Sequence, residues 1–131
     1  MKQFNIIIAG LPGSGKTTLI EAIKDHLEET SNIIKFRDHE LVLIEYTEDQ
    51  NFQDISGVIY LIDYSREKES KEYYQEITKK IKGNKNILVY TKAPLNSYNN
   101  DIFYYERNLL GQEIILEKIL DEIDPTESLK R

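Results

Sequence analysis

Gly10-Leu11-Pro12-Gly13-Ser14-Gly15-Lys16-Thr17 follows directly on the apolar run Phe4-Asn5-Ile6-Ile7-Ile8-Ala9. It matches G-x-x-x-x-G-K-[ST] at every fixed position, a pattern whose glycines let backbone amides wrap an anion. The run before it is short, β-branched and ended by glycine, which reads as a strand buried on both faces. After it, Leu19, Ile20, Ile23 and Leu27 recur at helical spacing opposite Lys24, Asp25 and Glu28. A helix with one buried face therefore runs from Lys16 to about Glu29. Strand, loop and helix in this order bring amides from about Gly13 to Thr18 to the positive helix end, where phosphate oxygens bind. Lys16 would bridge the β- and γ-phosphates and is the candidate catalytic residue. Thr17 would offer its hydroxyl to Mg2+, a hard cation that prefers oxygen. Gly10, Gly13, Ser14, Gly15 and Thr18 complete the candidate phosphate-binding set.

Further along the chain, Asn32 to Phe36 and Glu40 to Tyr46 are both strand-like, with only Arg37, Asp38 and His39 between them. That is too short for a crossover helix, so an antiparallel hairpin is expected. Gly57 to Tyr64 is a second fully apolar strand, and Tyr73, Tyr74, Ile77 and Ile81 mark an amphipathic helix stopped by Gly83 and Asn84. Asn86 to Thr91 is the next strand, and Lys92 to Asn100 is a loop rich in Asn, Ser and Pro. A short strand is expected from Ile102 to Tyr105. The stripe Ile115, Leu116, Ile119, Leu120 and Ile123 forms a last helix, ended by Pro125. The order predicts a three-layer α/β domain over residues 1–131, with a mainly parallel sheet, one antiparallel hairpin strand and helices on both faces.

Composition narrows the rest. The chain has 131 residues, a net charge of −6 and no cysteine, so thiol nucleophiles, thiolate zinc sites and disulfides are out. The acidic balance gives no field for a nucleic-acid backbone, and the four arginines (Arg37, Arg66, Arg107, Arg131) are scattered. The apolar run at the N-terminus is too short for a signal core or a membrane span, so the expected location is the cytoplasm. A metal carboxylate is expected at the end of an apolar strand beside the phosphate loop. Two residues fit: Glu45, after Leu41-Val42-Leu43-Ile44, and Asp63, after Val58-Ile59-Tyr60-Leu61-Ile62. Glu45 is the first choice, because an Asp just before a helix commonly serves as its N-cap.

Phosphate loop, helix, hairpin, then strand-helix-strand with Thr91-Lys92 in the following loop together resemble the Ras-like small GTPases, in reduced form. The short lysine-to-strand spacing is similar to that of the microcompartment-associated P-loop proteins of ethanolamine and propanediol utilisation. The resemblance implies a GTP-binding switch with Mg2+, held by Thr17 and Glu45, and a base covered by Lys92 beside Thr91. It implies a partner surface over residues 30–52, with Tyr46 and Phe52 as contacts, and Thr30 as a second metal ligand.

Departures from that family pattern matter as much. The family's Asp-x-x-Gly reads Glu45-Tyr46-Thr47-Glu48 here, and its water-orienting glutamine is replaced by Asp49, with Gln50 next. Both changes point to weak or slow hydrolysis. Asn/Thr-Lys-x-Asp reads Thr91-Lys92-Ala93-Pro94, so the carboxylate that selects guanine is missing, with Asn96 and Asp101 as nearby substitutes. Glu106-Arg107-Asn108 does not match the family's other base loop. Guanine and adenine therefore both stay open. Two rivals remain: a small ATP-dependent kinase, since Gly-Leu-Pro-Gly-Ser-Gly-Lys-Thr-Thr resembles kinase loops, and a P-loop binding module without turnover.

Overall fold

Ile6, Ile7, Ile8 and Ala9 are all fully buried, but they face two different cores. Side chains alternate across a strand, so Ile6 and Ile8 enter one apolar cluster while Ile7 and Ala9 enter another on the opposite face. A run apolar at every position is what a central strand between two helical layers requires. The computed structural model describes residues 2–48, 54–81, 85–91, 102–104 and 111–124. The elements are β1 (Lys2–Gly10), α1 (Lys16–His26), β2 (Ile33–Phe36), β3 (His39–Glu45), β4 (Gly57–Asp63), a 3-10 turn (Tyr64–Arg66), α2 (Glu67–Lys80), β5 (Lys85–Thr91), β6 (Ile102–Tyr104) and α3 (Gly111–Ile123).

Among the described residues the sheet has six strands, in the order β2-β3-β1-β4-β5-β6. Every neighbouring pair is parallel except β2 with β3, so the expected mainly parallel sheet with one antiparallel hairpin is what the chain forms. Leu19, Ile20 and Ile23 of α1 and Ile115, Leu116, Ile119 and Leu120 of α3 pack on one face. Ile77, with Tyr73 and Tyr74 of α2, covers the other.

Local chemistry corrects two expected boundaries. The hairpin turn has two residues, Arg37 and Asp38, both with positive φ (50° and 62°), and His39 already pairs with Phe36. Two left-handed residues give the turn whose twist suits a hairpin, even without the usual glycine. The first helix ends at His26 instead of about Glu29, because Glu28 turns left-handed (φ 56°). Its N–H then donates to Asp25 O and the N–H of Glu29 to Lys24 O at 2.8 Å, closing the last turn. The expected breaks at Gly83, Asn84 and Pro125, the loop after Thr91 and the end at Tyr105 lie outside the described residues.

Candidate functional site

The loop leaves β1 at the carboxyl end of the parallel strands and enters α1. At Gly10 the backbone passes so close to its neighbours that a Cβ would sit 2.6 Å from Ser14 Oγ and 3.1 Å from the carbonyl oxygen of Leu61. Only glycine fits there. Gly15, at the head of α1, has φ 102°, a conformation other residues rarely adopt. Among the described residues no side chain caps this helix, and no acidic residue stands in its first turn. Its leading amides are left to a ligand, and the helix dipole favours a negative one.

A cavity of about 240 Å³ opens here, lined by Gly13, Gly15, Lys16, Thr17, Thr18 and Glu45. Lys16 Nζ donates to Gly10 O (2.9 Å) and Leu11 O (3.3 Å), which curls the ammonium over the loop. Burial holds its pKa below the ordinary lysine value; Glu45 works against that shift, and the charge of Arg66 adds to it. Thr17 Oγ1 donates to Glu45 Oε1 at 2.7 Å, joining the head of α1 to the end of β3. Register explains the meeting: Glu45 pairs with Ile8, two residues before the loop. A hydroxyl and a carboxylate side by side are a suitable oxygen pair for a hard cation. Among the described residues no cluster of three or more His, Asp or Glu could hold a metal alone, so phosphate and water would have to complete the shell.

Asp63 sits elsewhere. It is fully buried, and its Oδ1 accepts from Ser65 N (3.0 Å) and Ser65 Oγ (2.6 Å), while Oδ2 accepts from Arg66. It caps the turn after β4, the role weighed against metal binding in the sequence.

Three other expected residues hold the loop from behind. Ser14 is fully buried, and its Oγ has no hydrogen-bond partner among the described residues. Its carbonyl accepts from Thr91 Oγ1 at 3.0 Å. Gly10, Ser14 and Thr91 therefore shape the loop without lining the cavity. Lys92, Pro94, Asn96, Asp101 and Glu106 to Asn108 lie outside the described residues, as do Asp49, Gln50 and Phe52.

Two expectations are corrected. Tyr46, read as an exposed contact, is 8% exposed and packs in the cluster under α2, its N–H donating to Ile8 O. Thr30 is exposed and one residue past Glu29, which the bond to Lys24 O ties to the far end of α1. Lys24 is roughly 12 Å along the helix axis from Lys16, so Thr30 is not beside Thr17 and Glu45. No local sequence pattern marks Arg66 as part of this site. Its Nη2 donates to Pro12 O at 2.6 Å, across 54 positions of chain.

The family model for 50S ribosome-binding GTPases matches residues 5–119. No curated sequence matches the chain. Among solved structures, the FeoB G-domain from Methanococcus jannaschii superposes with a TM-score of 0.71 at 14% identity, covering 94% of this chain and 99% of that one. At that identity the likeness is one of fold.

Proposed function

The chain belongs to the 50S ribosome-binding GTPase family, a family of GTP-binding P-loop proteins, and on that premise we propose that it is a slow, Mg2+-dependent GTP switch. The observation that carries the reading is the 2.7 Å contact of Thr17 Oγ1 with Glu45 Oε1 at the mouth of the phosphate cavity. Lys16, the amides leading α1 and the backbone of Gly13 to Thr18 would hold the β- and γ-phosphates. Thr17 would give its oxygen to Mg2+, with Glu45 oriented toward the metal's water. The metal would neutralise charge on the terminal phosphates.

Slow hydrolysis is supported by the residues just past Glu45. The family's glycine is Glu48, exposed here and bringing a side chain and a negative charge where a backbone N–H would meet the γ-phosphate. Burial of Tyr46 fixes the chain at the first residue after the metal carboxylate. Movement on nucleotide exchange would then start at Thr47. A protein partner would meet β2 and the segment after Glu45, where Ile33 of β2 is 44% exposed. Family membership leaves the kinase reading and its ATP without support. No helix among the described residues is long and apolar enough to cross a membrane. A cytoplasmic location is part of the proposal and does not follow from that absence.

The test is titration of fluorescent GTP and ATP analogues, each with Mg2+ and with EDTA, followed by phosphate release. The expected result is Mg2+-dependent binding that prefers GTP, turnover far slower than release of bound nucleotide, and no binding by Lys16→Ala. ATP preference, or unchanged binding by Lys16→Ala, overturns the reading. GTP binding with no phosphate release at all would leave a binding module.

A further inference from the structure

We propose that Arg66 is a positioning residue of the phosphate loop, holding the loop's apex through the Pro12 carbonyl and adding a second positive charge to the polyphosphate site. The proposal rests on the GTP reading above and assigns that site a residue outside its motif.

The local backbone explains why this side chain does not simply extend into water. Arg66 closes the 3-10 turn and precedes α2 with φ −134° and ψ 48°, neither helical nor extended. From that break its side chain folds back over the turn. Nε and Nη2 both donate to Asp63 Oδ2 at 3.2 Å, and Nη2 also reaches Pro12 O at 2.6 Å. Asp63 cannot swing away to follow solvent, because it is fully buried and its other oxygen is engaged by Ser65. The guanidinium is thus fixed from one side by a rigid carboxylate and from the other by the loop. A charge-assisted bond to a carbonyl is the stronger kind, and the planar fork gives it direction.

Its position relative to the cavity gives the contact a meaning beyond helix capping. A Cβ on Gly13 would lie 3.7 Å from Arg66 Nη2, so the guanidinium lies over a residue that lines the phosphate cavity. Drawing the Pro12 carbonyl outward leaves the amide of the same peptide unit, that of Gly13, directed to the other side of the chain. Lys16 Nζ bonds the carbonyls of Gly10 and Leu11 and Arg66 Nη2 that of Pro12, three successive carbonyls of the loop. Two cations therefore flank one arc of backbone, with Glu45 near Lys16 and Asp63 on Arg66. A bound triphosphate would relieve their mutual repulsion, whereas an empty loop leaves it in place. The side chain keeps 35% of its surface exposed, enough for its charge to act on a ligand in the cleft.

The experiment uses the whole chain and a fluorescent GTP analogue with Mg2+, titrated at 50 and 300 mM salt for the parent protein, Arg66→Ala, Arg66→Gln and Arg66→Lys. Melting temperatures are measured in parallel without nucleotide. Arg66→Ala is expected to raise Kd about tenfold at the lower salt, with a shallower salt dependence, since screening acts on the charge removed. Its melting temperature should fall by several degrees, because the buried Asp63 carboxylate loses the cation it pairs with, so affinities are read well below the melt. Arg66→Lys, which keeps the charge but not the planar fork, is expected to recover the salt slope and only part of the affinity, and Arg66→Gln little of either. Affinity of Arg66→Ala within twofold of the parent overturns the proposal. So does recovery by Gln equal to that by Lys. If Arg66→Ala does not fold, the Lys and Gln variants decide by the same criterion. Failure of the parent itself to bind the analogue overturns the GTP reading, a separate result seen before any variant is made.

Discussion

Replacing Ser14 with alanine removes one buried oxygen and nothing else from the phosphate loop. The hydroxyl is fully buried and has no hydrogen-bond partner among the described residues, while the backbone carbonyl of Ser14, which accepts from Thr91, is untouched by the change. A buried polar group without a partner costs about 1–3 kcal/mol in lost hydration. Against that stand the dispersion contacts of one oxygen, on the order of 0.5–1 kcal/mol. The net expectation is a gain of about 1 kcal/mol. For a chain of 131 residues the entropy of unfolding is about 0.28 kcal/mol per degree, so the melting temperature should rise by about 3–4 °C. Thermal melts followed by far-UV circular dichroism, without nucleotide, read this directly. The same variant should bind the GTP analogue within twofold of the parent, because the Ser14 side chain does not line the cavity. A fall in melting temperature of more than 1 °C would refute the reasoning by showing that the hydroxyl is satisfied. A tenfold loss of affinity would show that it faces the ligand.

Two further substitutions separate the carboxylates, and a third probes the support of the loop. Glu45→Gln should weaken Mg2+-dependent GTP binding more than tenfold with little change in melting, whereas Asp63→Asn, breaking a buried ion pair, should cost about 2 kcal/mol or more of stability and act on binding mainly through the fold; titrations with and without EDTA beside thermal melts test the ranking, and the reverse order would move the metal to Asp63. Thr91→Val leaves the buried Ser14 carbonyl without its donor and should lower stability by about 1–2 kcal/mol. In urea this should appear as a lower midpoint at unchanged slope, and no shift of the midpoint would mean the carbonyl has another partner.

The features legible in the chain alone are those that local pattern encodes. The glycines and lysine of residues 10–17 are adjacent in sequence because the loop itself makes the cradle. The run Ile6 to Ala9 announces a strand with two buried faces, and α1 and α3 are visible as stripes. Glu45 is recognisable because strand ends of a parallel sheet converge on one edge, so distance along the chain does not hide it. Tyr46 misleads for the reason that alternation past a strand's end depends on what covers the sheet there, and α2 covers it. The motif says which residues form the loop but not where each side chain goes, so the burial of the Ser14 hydroxyl cannot be read from it. Arg66 is invisible in another way. An arginine three residues after an Asp is an ordinary pair, and nothing local says that the side chain will return to a carbonyl 54 positions earlier.

The central place of β1 has a consequence for how the chain leaves the ribosome. Its first strand partner, β3, is complete only when Glu45 has been made, and its other partner begins at Gly57, about fifty residues after Ile6. At a synthesis rate of roughly 5–20 residues per second, Ile6-Ile7-Ile8-Ala9 waits about 2–8 s with both edges unpaired, and about 3–10 s before the second edge can begin to pair. In that interval the β2–β3 hairpin, whose contacts are short in sequence, has time to form first. The strand that carries the nucleotide loop is thus made before either of its partners, and it needs protection until they arrive.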